Sequence, residues 1–496
     1  MLRVNLRSPR SILVTITFLS SLGLGYTSQA IARILTEIYA VNDFDFPDDE
    51  DQCINFKIDQ RPDECQKGSD QVSNRETETW ITLKLVRLLL NSDAYFQAQR
   101  MTSLFTMVQQ ILILITSPIL GYMADNLGRR KILVASLFLS ILPGIFLYLA
   151  LSDYMWLDIY FVCYSLTGLI CTIPITLTCA ADISQPTTRA GVFGSILAAI
   201  LLGYTVGPKL SNPLSDDAKA LVSIGLQAVA AFQAFFFFEE TNPETKTDAA
   251  DKTVCEVFLK SIADLKILNR NSLFRNLSFC VLFSFIVQES TFQLQIYYLQ
   301  DNFDFSEDTI SNLFLVLGVV SFFLQGILLE KLVKMFGEKN VLLVSWLFGV
   351  AYCVGYAFST NEILIFISSG LNAVTYLCFP TVSAIKSNNA SSSEQGAVQG
   401  AIYSVRSLAA AVGPVLFTRI NESALSDMLD GSVLTNVNSA CWLVGAVLYL
   451  MSFGFTVFIP GKQANSNNIG NDRNVSGDEV GRKNSVSVDL GSSLLV

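Results

Sequence analysis

The sequence predicts an all-α membrane protein whose twelve transmembrane helices form two parallel six-helix bundles. Three observations predict it. The chain of 496 residues is 51% hydrophobic and only 15% charged, where a soluble chain carries charge on about a quarter of its residues. A spanning helix takes roughly 20 apolar residues, so the hydrophobic share amounts to about twelve spans and little else. Finally, a shift of 206 residues lays the second half on the first, with Pro174 on Pro380, Gly194 on Gly400, Gly207 on Gly413 and Pro208 on Pro414. Repeats with an even number of spans share one topology, so the halves are expected to be parallel.

Apolar runs place the spans at 12–36, 102–123, 132–151, 156–178, 190–210, 221–238, 277–299, 310–329, 341–358, 364–382, 396–417 and 438–458. The expected organisation is a cytoplasmic N-terminus over 1–11, a first bundle over 12–238 with an outer or lumenal loop at 41–100, a cytoplasmic linker at 239–276, a second bundle over 277–458 and a disordered cytoplasmic tail over 459–496. The first run, preceded by Arg3, Arg7 and Arg10 and carrying the small-residue Ser28-Gln29-Ala30, also has the form of a signal peptide. The helical pattern continues through Ile31, Ile34 and Leu35, which favours a span. With the N-terminus inside, the inner segments hold 21 Lys and Arg and the short outer loops only Lys209, Lys219 and Arg419. Positive charge stays on the cytoplasmic side, so both termini are expected there, in a plasma membrane or an endomembrane.

From Asp43 to Glu78 the outer loop has twelve acidic residues against Lys57, Arg61, Lys67 and Arg75, an acidic cap or a flexible loop. Its Cys53 and Cys65 are placed on an oxidising face, as a disulfide or as two free thiols. Of the N-x-S/T sequons only Asn421-Glu422-Ser423 falls outside, so Asn421 alone is a glycan candidate. In the linker Val254, Val257, Phe258, Leu265 and Leu268 recur at helical spacing, which suggests a short helix on the cytoplasmic face.

The absence of histidine removes the imidazole base of hydrolase triads and every His-ligated metal site. No enzyme activity, cofactor or metal is expected. A net charge of −10 argues against nucleic acid. The expected partners are the lipid bilayer and a small solute, with protons as candidate counter-ion, and the chain is expected to act as a monomer.

The turn after the second span reads Gly121-Tyr122-Met123-Ala124-Asp125-Asn126-Leu127-Gly128-Arg129-Arg130-Lys131. Gly121 permits close helix approach, Asp125 can act on a neighbouring helix N-terminus, and Gly128 permits the tight turn that presents the cations. The segment resembles the G-x-x-x-D-x-x-G-R-[RK] signature of the major facilitator superfamily, departing from it at Asn126 where a cation is usual. The resemblance implies that Asp125, Arg129, Arg130, Asp182 and Arg189 belong to a cytoplasmic charge network that latches the outward-open state; the alternative is a positive-inside turn without a gating role. Gly203-x-x-x-Gly207-Pro208 is similar to an element of proton-driven antiporters in that superfamily, although its recurrence as Gly413-Pro414 also fits a packing role. Phe379-Pro380 with Ser383-Ala384, Glu394-Gln395-Gly396, Gln399-Gly400 and Val405-Arg406 resembles the hippocampus-abundant-transcript and tetracycline-resistance-like branch, from about Thr102 to Ile420. Alternating-access transport of a small organic solute, in proton antiport, is what the resemblance implies. The alternatives are a facilitative uniporter, or a receptor or adaptor using the acidic loop.

Ionisable residues at membrane depth are functional candidates by default. Glu289 lies about 18 Å and Arg406 about 15 Å along their helices from the inner end. They are expected to pair, either as a proton-coupling and substrate element with Gln288, Gln293 and Gln295 around Glu289 or as a structural ion pair. Arg33 and Glu37, at i,i+4 near the outer end of the first span, are read as interfacial snorkelling, with a substrate contact as the alternative.

Overall fold

The computed structural model describes residues 8–44, 104–152, 157–211, 213–241, 265–303, 305–429 and 437–460. Cys53, Cys65, most of the acidic loop, the proposed linker helix before Leu265 and the tail lie outside them. Among the described residues every regular element is helical. In chain order these are α1 (Pro9–Phe44), α2 (Leu104–Leu127), α3 (Arg129–Leu151), α4 (Ile159–Ile183), α5 (Arg189–Ser211) and α6 (Asp216–Phe237), then α7 (Ser272–Phe303), α8 (Thr309–Phe336), α9 (Glu338–Ala357), α10 (Glu362–Asn388), α11 (Gln395–Leu429) and α12 (Val437–Val457). By length and composition, 10 helices are able to cross a membrane among the described residues. To these α1 and α7 add rods of 36 and 32 residues. The first helix runs unbroken beyond the expected end of its span, and α11 continues past Phe417 to Leu429, so the backbone of Asn421 is helical.

Proline decides where several helices are segmented. A 3₁₀ turn at Thr167–Leu169 interrupts α4, and Pro174 is the third residue of the segment that restarts at Thr172. In α10 a break at Tyr376 and Leu377 precedes the segment from Cys378, whose third residue is Pro380. A first helical turn has no internal acceptor for its N–H groups, so a residue without one fits there at no cost. Pro208 and Pro414 sit instead inside α5 and α11.

The helices pack in a definite pattern. α1 lies against α5 and α6, and α3 against α4 and α6, while α7 packs on α11 and α12, and α9 on α10 and α12. Contacts between these groups run through α5 with α8 and α10, and through α4 and α2 with α11. Glycines set the closest approaches. A Cβ on Gly121 of α2 would strike the Gly396 carbonyl of α11, and one on Gly207 would lie 2.7 Å from the Gly25 backbone of α1. Gly203 meets α1, Gly413 meets Ile286 and Ser290 of α7, Gly194 meets Gln325 of α8, and Gly400 meets Ser117 of α2. The outward surfaces are apolar, with Val162, Phe232, Phe236 and Ile367 more than half exposed. The interior holds serine, threonine and tyrosine around Trp346 and Trp442, the polarity distribution of a chain solvated by hydrocarbon.

Overpacking a tight helix contact costs about 1–3 kcal/mol. Gly207→Val is therefore expected to lower the thermal unfolding midpoint of the purified protein. Gly225→Ala, where a Cβ meets nothing within 4 Å, should leave the midpoint unchanged or raise it, because alanine is the better helix former.

Candidate functional site

Two polar constellations interrupt the apolar interior. The first lies at one end of the helices, where Gly128 and Gly337, with φ 105 and 79, turn the chain into α3 and α9. They are the positive-φ glycines among the described residues, and a side chain would strain the backbone at either. The Gly128 turn puts Arg129 at the head of α3 with its side chain 1% exposed. A buried guanidinium needs compensating charge. Arg129 has it twice: its Nη2 lies 3.0 Å from Asp125 Oδ1, and its Nη1 pairs with Asp182 at the end of α4.

The same groups reach across to α11. Asp125 accepts from the backbone N–H of Gly396 at 2.9 Å and of Ala397 at 3.1 Å. A carboxylate so placed satisfies orphan amides of the α11 N-terminus and complements its dipole. Arg129 Nη2 also donates to the Ser392 carbonyl at 3.1 Å. Thr241 donates to Asp182 at 2.9 Å, and Glu240 accepts from the backbone N–H of Arg129 at 2.9 Å and of Arg130 at 3.2 Å. Arg130 itself turns outward to the Phe235 carbonyl. Asn126 donates to Tyr122 of its own helix at 2.7 Å, so no cation is needed there.

Arg189 makes a parallel connection. It donates to the Ala181 carbonyl at 3.0 Å and to Asn388 Oδ1, at the end of α10, at 2.9 Å. Asn388 in turn donates to Glu338 Oε1 and to the Pro186 carbonyl, each at 3.2 Å. Arg10 bridges the Gly191 carbonyl of α5 and Glu330 of α8, the latter at 3.6 Å. Sequence reasoning found Asp125, Arg129, Asp182 and Arg189, but missed Glu240, Glu338, Asn388 and Arg10.

The second constellation lies midway along α7 and α11. Arg406 Nη2 is 3.2 Å from Glu289 Oε1, with the side chains 26% and 31% exposed, so the pair borders open space rather than a sealed core. Arg406 Nη1 also donates to the Tyr403 hydroxyl at 2.9 Å. Its guanidinium carbon lies 4.8 Å from the Phe285 ring centre, 5.1 Å from Tyr403 and 5.8 Å from Phe379. Three ring faces and one carboxylate hold the cation in place. Cys171 of α4 is in hydrogen-bonding reach of Tyr403, which brings the first half of the chain to this site. The cluster of glutamines expected around Glu289 is only partly there. Gln288 is half-buried, Gln295 faces away to bond the Tyr356 hydroxyl, and the side chain of Gln293 lies outside the described residues.

A polytopic helical protein with a buried charge cluster at one end and an ionisable pair at mid-depth has the layout of a membrane transporter. Residues 77–414 match the Major Facilitator Superfamily, and the chain belongs to that family. It is 25% identical to "Hippocampus abundant transcript-like protein 1" of Rattus norvegicus over 73% of each chain. It is 26% identical to "Tetracycline resistance protein, class H" of Pasteurella multocida, covering 68% of this chain and 81% of that protein. Among solved structures, the human organic anion transporter MFSD10 (TETRAN) superposes with a TM-score of 0.69 at 18% identity, over 92% of this chain and 100% of that one. The E. coli fucose:proton symporter FucP gives 0.59 at 14% identity, over 91% and 98%. The superfamily consists of transporters rather than enzymes, and the protein is an integral multi-pass membrane protein.

Removing the cation of a buried pair while leaving its carboxylates costs about 3–5 kcal/mol. Arg129→Met is expected to lower the thermal unfolding midpoint strongly. Adding Asp182→Asn should recover part of the loss, because one of the two stranded charges is then gone.

Proposed function

We propose that the protein is a proton-coupled transporter of a small organic anion, working by alternating access. All twelve helices cross the membrane as two six-helix bundles, α1–α6 and α7–α12. The matched contacts of the repeat glycines support this: Gly194 and Gly400 each meet the opposite half, while Gly207 and Gly413 meet α1 and α7. Both termini and the 239–276 linker lie on the cytoplasmic side. Arg129, held by Asp125 and Asp182, and Arg189 form the cytoplasmic latch of the outward-open state; Gly121 lets α2 approach α11, and Gly128 makes the turn that presents Arg129.

The observation that carries the reading is the Glu289–Arg406 pair, part-exposed and stacked on three rings. Protonation of Glu289 would remove the carboxylate that neutralises Arg406, so an anionic solute gains a free cation at the moment the proton binds. Deprotonation restores the pair and expels the solute. The two ligands are linked through one site. The rings around Arg406 suit an anion with an apolar or aromatic body. The human structural neighbour is named an organic anion transporter, which supports the same reading. The names of the tetracycline resistance relatives and of the fucose:proton symporter are consistent with a proton-coupled reading.

In proteoliposomes, Glu289→Gln mimics the protonated carboxyl. It is expected to retain solute counterflow and to lose accumulation driven by a pH gradient. Arg406→Ala should weaken anion binding while leaving Glu289 without its partner. A Glu289→Gln protein that still concentrates solute in response to pH refutes the coupling role, and a wild-type protein insensitive to pH marks a uniporter.

A further inference from the structure

The seam between α10 and α11 carries a polar stripe whose middle, Ser383 and Gln399, neither the latch nor the Glu289–Arg406 pair uses. Contacts at both ends fix its register. Ser387 Oγ donates to Gln395 Oε1 at 2.5 Å, and the Phe379 ring lies 6.4 Å from the Tyr403 ring. Each step back along α10 is matched by an equal step forward along α11, as antiparallel helices require. Ser383, midway between Ser387 and Phe379, therefore sits opposite Gln399, midway between Gln395 and Tyr403. Both are buried, at 0% and 1% exposure. Yet Ser383 Oγ and both polar atoms of Gln399 have no hydrogen-bond partner among the described residues.

A buried amide and hydroxyl without partners are costly, and facing polar atoms of this kind are the sites that internal water fills. Above them Tyr403 bonds Arg406 at 2.9 Å. Below them Gln395 donates to the Ser387 and Ser391 carbonyls at 3.0 and 3.2 Å, in the turn where Ser391, Ser392 and Ser393 are exposed. The stripe thus runs from the mid-depth ion pair to the latched end.

We infer that water bound between Gln399 and Ser383 makes this seam the proton path between the α10–α11 turn and the Glu289–Arg406 pair. This rests on the proton-coupled reading above. A proton entering at the turn passes along the hydroxyls and bound water and ends on the Glu289 carboxylate, where it breaks the pair with Arg406. The return follows the same chain. The titratable and charged groups facing the path are Glu289 from α7, Arg406 and Tyr403 from α11, Tyr376 from α10 and Cys171 from α4, with Arg129, Asp125 and the Arg270–Glu394 pair at the turn. Lys386, one residue from Ser387, points away to Ser278 of α7 at 2.7 Å.

Radiolytic footprinting in ¹⁸O-water tests the water site without reference to transport, because hydroxyl radicals generated from bound water label the side chains beside it. Phe379 and Tyr403, only 7% and 6% exposed, are expected to be oxidised in the folded protein. Gln399→Leu should remove that label and leave the exposed Phe458 labelled. In proteoliposomes Gln399→Leu should keep counterflow and lose pH-driven accumulation, with Gln399→Asn restoring it; Ser383→Ala serves if the leucine variant does not fold. Absent label, or label unmoved by Gln399→Leu or by Ser383→Ala, overturns the water site. Wild-type pH-driven accumulation in a well-folded Gln399→Leu protein overturns the path. A wild-type protein that ignores pH removes the coupling and the path with it, while the label still decides whether water is bound.

Discussion

Arg129 is the cation on which the packing at the charged end of the helices depends. A guanidinium 1% exposed must have charge beside it, and it has Asp125 from α2 and Asp182 from α4. That holds three helix ends of the first half together. Asp125 is shared: the carboxylate that steadies Arg129 also accepts two amides of α11. The packing of the first half and its grip on the second therefore use one side chain. Exposed pairs such as Arg270 with Glu394, 49% and 41% exposed, contribute little by comparison.

The helix that Asp125 caps is also the helix that carries Arg406. In the proposed cycle, α11 joins the latch to the binding site as a rigid rod, about 15 Å from its first turn to the arginine. Release of the Gly396 and Ala397 amides lets α11 tilt, and tilting moves Arg406 relative to Glu289 on α7. The glycines at 396 and 400 let α11 lie against α2 at backbone distance in the latched state, a contact with a discrete bound form rather than a soft one. On the other interface, Arg189 to Asn388 and Arg10 to Glu330 tie α5 to α10 and α8.

Much of this was legible in the chain because its signals are local or periodic. Apolar runs mark helices whatever their neighbours, and the Gly-Pro spacing marks their closest contacts. The turn Gly128-Arg129 is a local motif, and Asp125 stands one helical turn before Arg129. Glu289 and Arg406 stood out because ionisable groups are rare at their depth. The missed residues share a different property, in that their roles exist only through partners distant in sequence. Glu240 serves α3 from 111 residues away. Glu338 and Asn388 occupy the places that Arg129 and Asp182 hold in the first half, but with the charge reversed at one and neutral at the other, so comparison of residue types across the repeat passes over them. Gln295 was grouped with Glu289 by proximity in sequence, whereas helical phase turns it to Tyr356.

The most direct test of the account is a distance across the latch. Spin labels at Lys131→Cys and Ser393→Cys, both on exposed positions flanking the Arg129–Ser392 contact, report whether α3 and the α10–α11 turn separate. In a cysteine-free background reconstituted in lipid, the account predicts one short distance in the resting protein and a second, longer population when solute and a pH gradient drive turnover. Asp125→Asn should populate the longer distance without solute. A single unchanging distance under all of these conditions contradicts the latch.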